Sequence, residues 1–104
     1  MDFEEYTKKQ KRTSPDNSSI IMVALGLTGE SGEFADIVKK HLFQGHPLDT
    51  EHLVEELGDI LWYISEGAKI LGVSLSEVAQ KNIEKLEKRY PEGFDPGRSI
   101  NRKP

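Results

Sequence analysis

Apolar residues recur along this chain at intervals of three and four, the period of a helix with one buried face, and strand-like alternation is nearly absent. A first helix is expected from about Asp2 to Arg12, and Thr13-Ser14-Pro15-Asp16-Asn17-Ser18 reads as a loop running to residue 19. The second helix, from about Ser19 to Phe43, carries the stripe Ile20, Val23, Leu27, Phe34 and Ile37, and Gln44-Gly45-His46-Pro47 ends it. Asp49 or Thr50 can cap a third helix to about Leu71, with Leu53, Leu57, Ile60, Leu61, Ile64, Ala68 and Leu71 as its apolar set and Gly72 as its stop. Ser74-Leu75-Ser76-Glu77 is a capping box that opens a fourth helix to about Tyr90. Pro91, Gly93, Pro96 and Gly97 then break the pattern, so residues 92–104 are expected as an extended or partly disordered tail. The expected fold is a single all-α domain over 1–104, with two long antiparallel helices and shorter flanking ones.

One stretch departs from simple amphipathicity. Ile20–Leu27 is apolar around nearly the whole helix, which demands burial on more than one side. The other helices of one short chain do not suffice for that. The expectation is a homo-oligomeric helical bundle, with a dimer as the minimal unit and a tetramer as the alternative.

Glu30 and Glu33, three residues apart, share a face of the second helix, and Glu56 and Asp59 share one of the third. A short hairpin makes these helices antiparallel neighbours, so the four carboxylates can converge. Glu30 interrupts the stripe Leu27–Phe34–Ile37, and Glu56 lies on the line Leu53–Ile60. A solvated acid belongs on the opposite face, and a buried carboxylate without a partner costs several kcal/mol. A hard divalent cation with oxygen ligands would answer the repulsion within such a cluster. The competing reading is an ordinary solvated face with lysine or arginine partners. Gly26, Gly29 and Gly32 recur every third residue beside these acids, each costing about 1 kcal/mol relative to alanine. Either a close helix or a ligand near the backbone would offset that loss. Gly58, next to Asp59, permits the same two readings.

Composition narrows the chemistry. The chain has 104 residues and no cysteine, which excludes disulfides, thiolate metal sites and thiol nucleophiles. A formal net charge of −4 argues against a polymer of nucleic acid as partner. The longest apolar run, Ile20–Leu25, is far too short to span a membrane, and the acidic N-terminus is not a signal peptide, so a cytoplasmic location is the default.

Three segments taken together carry a family resemblance: Ala24-Leu25-Gly26-Leu27-Thr28-Gly29-Glu30-Ser31-Gly32-Glu33, then Glu55-Glu56-Leu57-Gly58-Asp59-Ile60-Leu61-Trp62-Tyr63-Ile64, then Asn82-Ile83-Glu84-Lys85-Leu86-Glu87-Lys88-Arg89-Tyr90-Pro91. In this order and spacing, over roughly residues 20–95, the chain resembles the MazG-like all-α nucleoside triphosphate pyrophosphohydrolases. The family pattern is Glu-Glu-x-x-Glu followed by Glu-x-x-Asp, and Gly29 stands here in place of its first acid. The resemblance implies that Glu30, Glu33, Glu56 and Asp59 bind Mg²⁺, with Mn²⁺ as the alternative, and leaves the number of ions open. It implies cleavage of a nucleoside triphosphate substrate to the monophosphate and pyrophosphate, in a nucleotide house-cleaning role. Glu30 and Glu33 are then both ligands and candidate water-orienting groups.

Asn82, Lys85 and Arg89 share a face of the fourth helix; the two cations suit phosphate, and the resemblance favours Asn82 and Lys85. Trp62 follows Asp59 within a turn, and is either a stacking platform for a base or a core residue. Lys39 and Lys40 could meet phosphate or simply be solvated, and His41, His46 and His52 lack metal-ligand spacing. Arg98 and Arg102 could close over a neighbouring subunit's site. The rival functions are a non-catalytic helical module binding nucleotide or a partner protein, and a structural oligomer whose acids only cap or pair.

Overall fold

The computed structural model describes residues 1–102, and among these its regular elements are all helices. The helices are α1 (Phe3–Gln10), α2 (Ile20–Phe43), α3 (Thr50–Ile70), α4 (Leu75–Arg89) and α5 (Pro96–Ile100), with a 3-10 turn at Lys11–Thr13 after α1. Each start has a local cause. Side-chain oxygens of Asp2, Ser19, Asp49 and Ser74 accept the N–H groups of Glu5, Met22, His52 and Glu77, which the first helical turn leaves without partners. After α2 and α3 the chain reverses through Gly45 and Gly72, at φ 71° and 75°, where a side chain would be strained.

The tail departs from expectation. Residues 96–100 form α5, because Asp95 accepts the Gly97 N–H at 2.8 Å and Pro96 holds a φ suited to a first helical turn. Residues 103 and 104 of the expected extended tail lie outside the described residues.

The antiparallel pair α2 and α3 forms the scaffold. Two glycines let these helices approach. A methyl group at Gly26 would lie 2.1 Å from the Tyr63 ring, and one at Gly67 would lie 3.1 Å from Val23 Cγ1. Close packing is therefore what offsets Gly26, while Gly29, Gly32 and Gly58 have nothing within 4 Å of a Cβ position.

The N-terminal segment is tied to α3 by polar groups. Glu66 is fully buried, at 0% exposure. It accepts hydrogen bonds from Ser14 Oγ, Ser18 Oγ and Gln10 Nε2, and pairs with Lys69 Nζ at 3.2 Å. Ser65 Oγ donates to Gln10 Oε1 at 2.9 Å, and Trp62 Nε1 donates to Thr13 Oγ1 at 2.7 Å. Burial pushes the Glu66 carboxyl up, but these hydrogen bonds outweigh it and hold its pKa at about 2.

The apolar core of the single chain is small: Val23, Ala68 and Leu75 are its buried hydrophobic residues. Much of the expected core stays outside it. Ile20 in α2 and Leu57, Ile64 and Leu71 at the α3 end of the chain are exposed, and α4 buries only Leu75, at its first turn.

Two outcomes follow from this packing. Gly26→Ala destabilises the fold by about 1–3 kcal/mol despite alanine's better helix propensity, because the Tyr63 ring must move; urea unfolding measures the sign. Glu66→Ala costs on the order of 3 kcal/mol, since it strands the Lys69, Gln10 and serine groups. The folded pKa of Glu66 lies below its ordinary value of 4.5. Its contribution is therefore present above pH 4.5 and is lost as pH falls towards 2, a trend that the alanine variant lacks in acid titration.

Candidate metal centre

Glu30 and Glu33 lie one turn apart on the α2 face turned to α3, and Glu56 enters the same space from α3 because the hairpin runs antiparallel. One carboxylate oxygen from each of the three lies within 4.8 Å of the others. Glu56 is buried, Glu30 half-buried and Glu33 exposed, so the cluster runs from the helix seam out to solvent.

Ionised carboxylates only accept hydrogen bonds, so two that face each other cannot satisfy one another. Glu30 Oε2 and Glu56 Oε2 are both buried without a partner. The Glu56 carboxyl, close enough to share a proton, is the chief cause that drives the Glu30 pKa up to about 7; burial and the charges of Glu33, Asp59 and Glu56 add to it. Two orphaned buried oxygens in an all-carboxylate donor set fit a hard divalent cation. No lysine or arginine pairs with these three acids among the described residues.

Of the four expected acids, the structure draws three into one tight group. Asp59 is exposed and lies outside it, although its charge acts on both Glu30 and the Tyr6 phenol. A cleft of about 690 Å³ opens beside the cluster, with Glu33, Glu56, Lys40, His46 and His52 in its walls. His52 Nε2 stands 3.3 Å from Glu56 Oε1. His52 is exposed, and its i, i+4 spacing to Glu56 places both on one face of α3. Lys40 faces the cleft while paired with Asp36 at 2.9 Å, and Asp36 also holds Lys39 at 3.3 Å.

The α4 residues lie elsewhere. Lys85 and Arg89 line a second cleft of about 780 Å³ with Lys88, Arg98 and Arg102, and none of the clustered acids is in its wall. Asn82 is exposed on α4. The Trp62 indole is held by Thr13, and its ring stands edge-on to Tyr63 at 5.0 Å.

An all-α chain with a carboxylate centre between two antiparallel helices defines the class of protein. The sequence matches the MazG nucleotide pyrophosphohydrolase domain over residues 19–94, and the chain belongs to this family. It is similar to the gene 37 protein of Mycobacterium phage L5, with 42% identity over 84 residues, covering 77% of this chain and 74% of the phage protein. No solved structure matches. Among the described residues, no helix is long and apolar enough to cross a membrane.

The raised Glu30 pKa has a definite sign. Folded Glu30 holds its proton more tightly than an unfolded glutamate, so its contribution to stability is present below pH 4.5 and is lost as pH rises through about 7. Glu30→Gln cannot titrate. In chelator-treated protein, the melting temperature of Glu30→Gln rises relative to wild type between pH 5 and 8; a constant difference would contradict the shift.

Proposed function

We propose that this chain is a Mg²⁺-dependent nucleoside triphosphate pyrophosphohydrolase, with Mn²⁺ as the alternative metal, acting in cytoplasmic nucleotide house-cleaning. The observation that carries this reading is the pair of orphaned buried oxygens on Glu30 and Glu56, beside Glu33, in helices that match the MazG domain. Glu30, Glu33 and Glu56 would hold the ion, with Asp59 as a neighbouring fourth acid. When bound, the metal neutralises phosphate charge and lowers the pKa of coordinated water.

The chain's own groups divide the remaining work. Glu33 is exposed and lines the cleft, so it is the acid best placed to orient a water and accept its proton. The water oxygen bonds to the α-phosphorus, the bond from that phosphorus to the bridging oxygen breaks, and pyrophosphate leaves with the electron pair. Nucleoside triphosphate and water thereby become nucleoside monophosphate and pyrophosphate, for ribo- or deoxyribonucleotides alike. The charge of Lys85 and Arg89 and the amide of Asn82, on one face of α4, support assigning them to the phosphates, although within one chain they lie apart from the acids. Trp62 is assigned to the base, through its ring face.

A panel of common and modified nucleoside triphosphates, incubated with the protein and Mg²⁺, is expected to yield pyrophosphate and the monophosphate. Orthophosphate release would mean another reaction, and nucleotide binding without any release would mean a non-catalytic module. Glu33→Gln is expected to lower turnover by about 10²–10⁴-fold with the helical circular dichroism unchanged. Wild-type turnover in that variant would remove Glu33 from the site.

A further inference from the structure

The chain is acidic as a whole, with 18 acids against 14 lysines and arginines, yet five of those cations meet in one place. The cleft between α4 and α5, about 780 Å³, is walled by Lys85, Lys88 and Arg89 from α4 and by Arg98 and Arg102 from the tail. Asp95 is the one acid in its wall. The Asp95 side chain is committed to the Gly97 N–H at 2.8 Å, as the cap that starts α5. Among the described residues, no acid pairs with any of the five cations. Glu84, four residues before Lys88, accepts a hydrogen bond from Gln80 at 3.2 Å instead.

The gathering has a structural cause. Gly93, at φ 95°, turns the chain after α4, and its N–H donates to the Tyr90 carbonyl at 3.0 Å. The Tyr90 and Phe94 rings pack with centroids 5.4 Å apart. This turn carries the tail back beside α4, and Arg98 and Arg102, four residues apart, line the same cleft. Lys88 and Arg89 lie in the last turn of α4, where positive charge suits a helix end. That accounts for two of the five and leaves Lys85 and both tail arginines without a structural use. Lys85 and Arg89 are also four residues apart, a spacing at which like charges repel. Two arginines set against them add to the repulsion, and a bound anion would relieve it.

The number and kind of charges select the ligand class. Guanidinium groups bond phosphate oxygens in pairs, and a cleft lined by one sign of charge concentrates the opposite ion. The cleft volume falls within the roughly 300–1000 Å³ of small-molecule sites. A single phosphate carries only about two charges at neutral pH, too few to balance five cations on two walls. A linear chain of phosphates supplies more charge and reaches both walls. The net charge of −4 over the whole chain opposes a nucleic-acid polymer as the occupant.

We propose that the cleft between α4 and α5 binds a linear polyphosphate, with Arg98 and Arg102 closing on it from the tail. The phosphate chain of a nucleoside triphosphate and a free polyphosphate share this chemistry. The site adds Lys88 and the two tail arginines to the pair already assigned to phosphate. It concerns binding alone, so it holds whether or not the chain hydrolyses triphosphates.

Calorimetric titration of the whole chain with sodium tripolyphosphate, in chelator and at fixed ionic strength, is expected to show a saturable site. The chelator halts metal-dependent turnover, so the result does not depend on the hydrolase reading. Orthophosphate is expected to bind about tenfold more weakly, or worse. Arg98→Gln/Arg102→Gln should weaken tripolyphosphate by about tenfold or more, and Lys88→Gln, which leaves α5 untouched, by about threefold. Lys8→Gln/Lys11→Gln removes as much charge from the N-terminal segment and should leave the affinity unchanged. Absence of a saturable site, equal binding of orthophosphate, or unchanged affinity in the tail variant overturns the proposal. An equal loss in Lys8→Gln/Lys11→Gln also overturns it, since attraction to overall charge would then suffice. A nucleoside triphosphate that binds about tenfold tighter than tripolyphosphate assigns the site to a nucleotide, and equal affinities assign it to the phosphate chain alone; either result supports the site.

Discussion

Glu30 and Glu56 meet across the seam between α2 and α3, and when both are ionised neither can satisfy the other. Each leaves a buried oxygen without a partner. The helices can come this close only because Gly26 admits the Tyr63 ring and Gly67 admits Val23. The same close approach that packs the seam therefore forces the carboxylates together, and their repulsion is of the kind a divalent cation would relieve. The chemistry of the centre and the packing of the helix pair are two consequences of one constraint.

A second buried glutamate shows how far surroundings decide what a carboxylate does. Glu66, two turns along α3 from Asp59, is more deeply buried than Glu30. Yet its pKa moves down, because Ser14, Ser18, Gln10 and Lys69 all donate to it. The pKa of Glu30 moves up, because its neighbours are other acids. The donor-rich glutamate is a structural anchor for the N-terminal segment; the donor-poor one keeps a buried oxygen without a partner. Membership of the MazG family agrees with this division, since its domain match covers α2 and α3 but begins at residue 19, after the two anchoring serines.

The openness of the chain belongs to the same account. A small apolar core leaves the α2–α3 pair flanked by uncovered faces. The centre sits on the side of α2 turned to α3, whereas Leu25 on the same helix is exposed. Glycines on one helix thus differ in their surroundings: Gly26 admits the Tyr63 ring, whereas nothing in the chain lies within 4 Å of a Cβ position at Gly32.

The first four helices, their approximate limits and the pairing of acids were legible in the sequence, because caps, stops and 3.6-residue periodicity are local properties read within a few residues, whereas α5 was not expected in the Pro- and Gly-broken tail. The convergence of Glu30, Glu33 and Glu56 was also legible, since a short hairpin leaves little freedom in how two long helices pair. Other features needed the tertiary structure. Asp59 and Glu56 share a helix face, yet only Glu56 enters the tight group, a difference that depends on the angle and depth of helix contact. Glu66 carried only the mark of an ordinary i, i+3 pair with Lys69, because its other partners, Gln10, Ser14 and Ser18, lie 48 to 56 residues away in sequence. The reason is common to both: spacing along one helix determines which side chains share a face, while burial and partners depend on what the rest of the chain sets against that face.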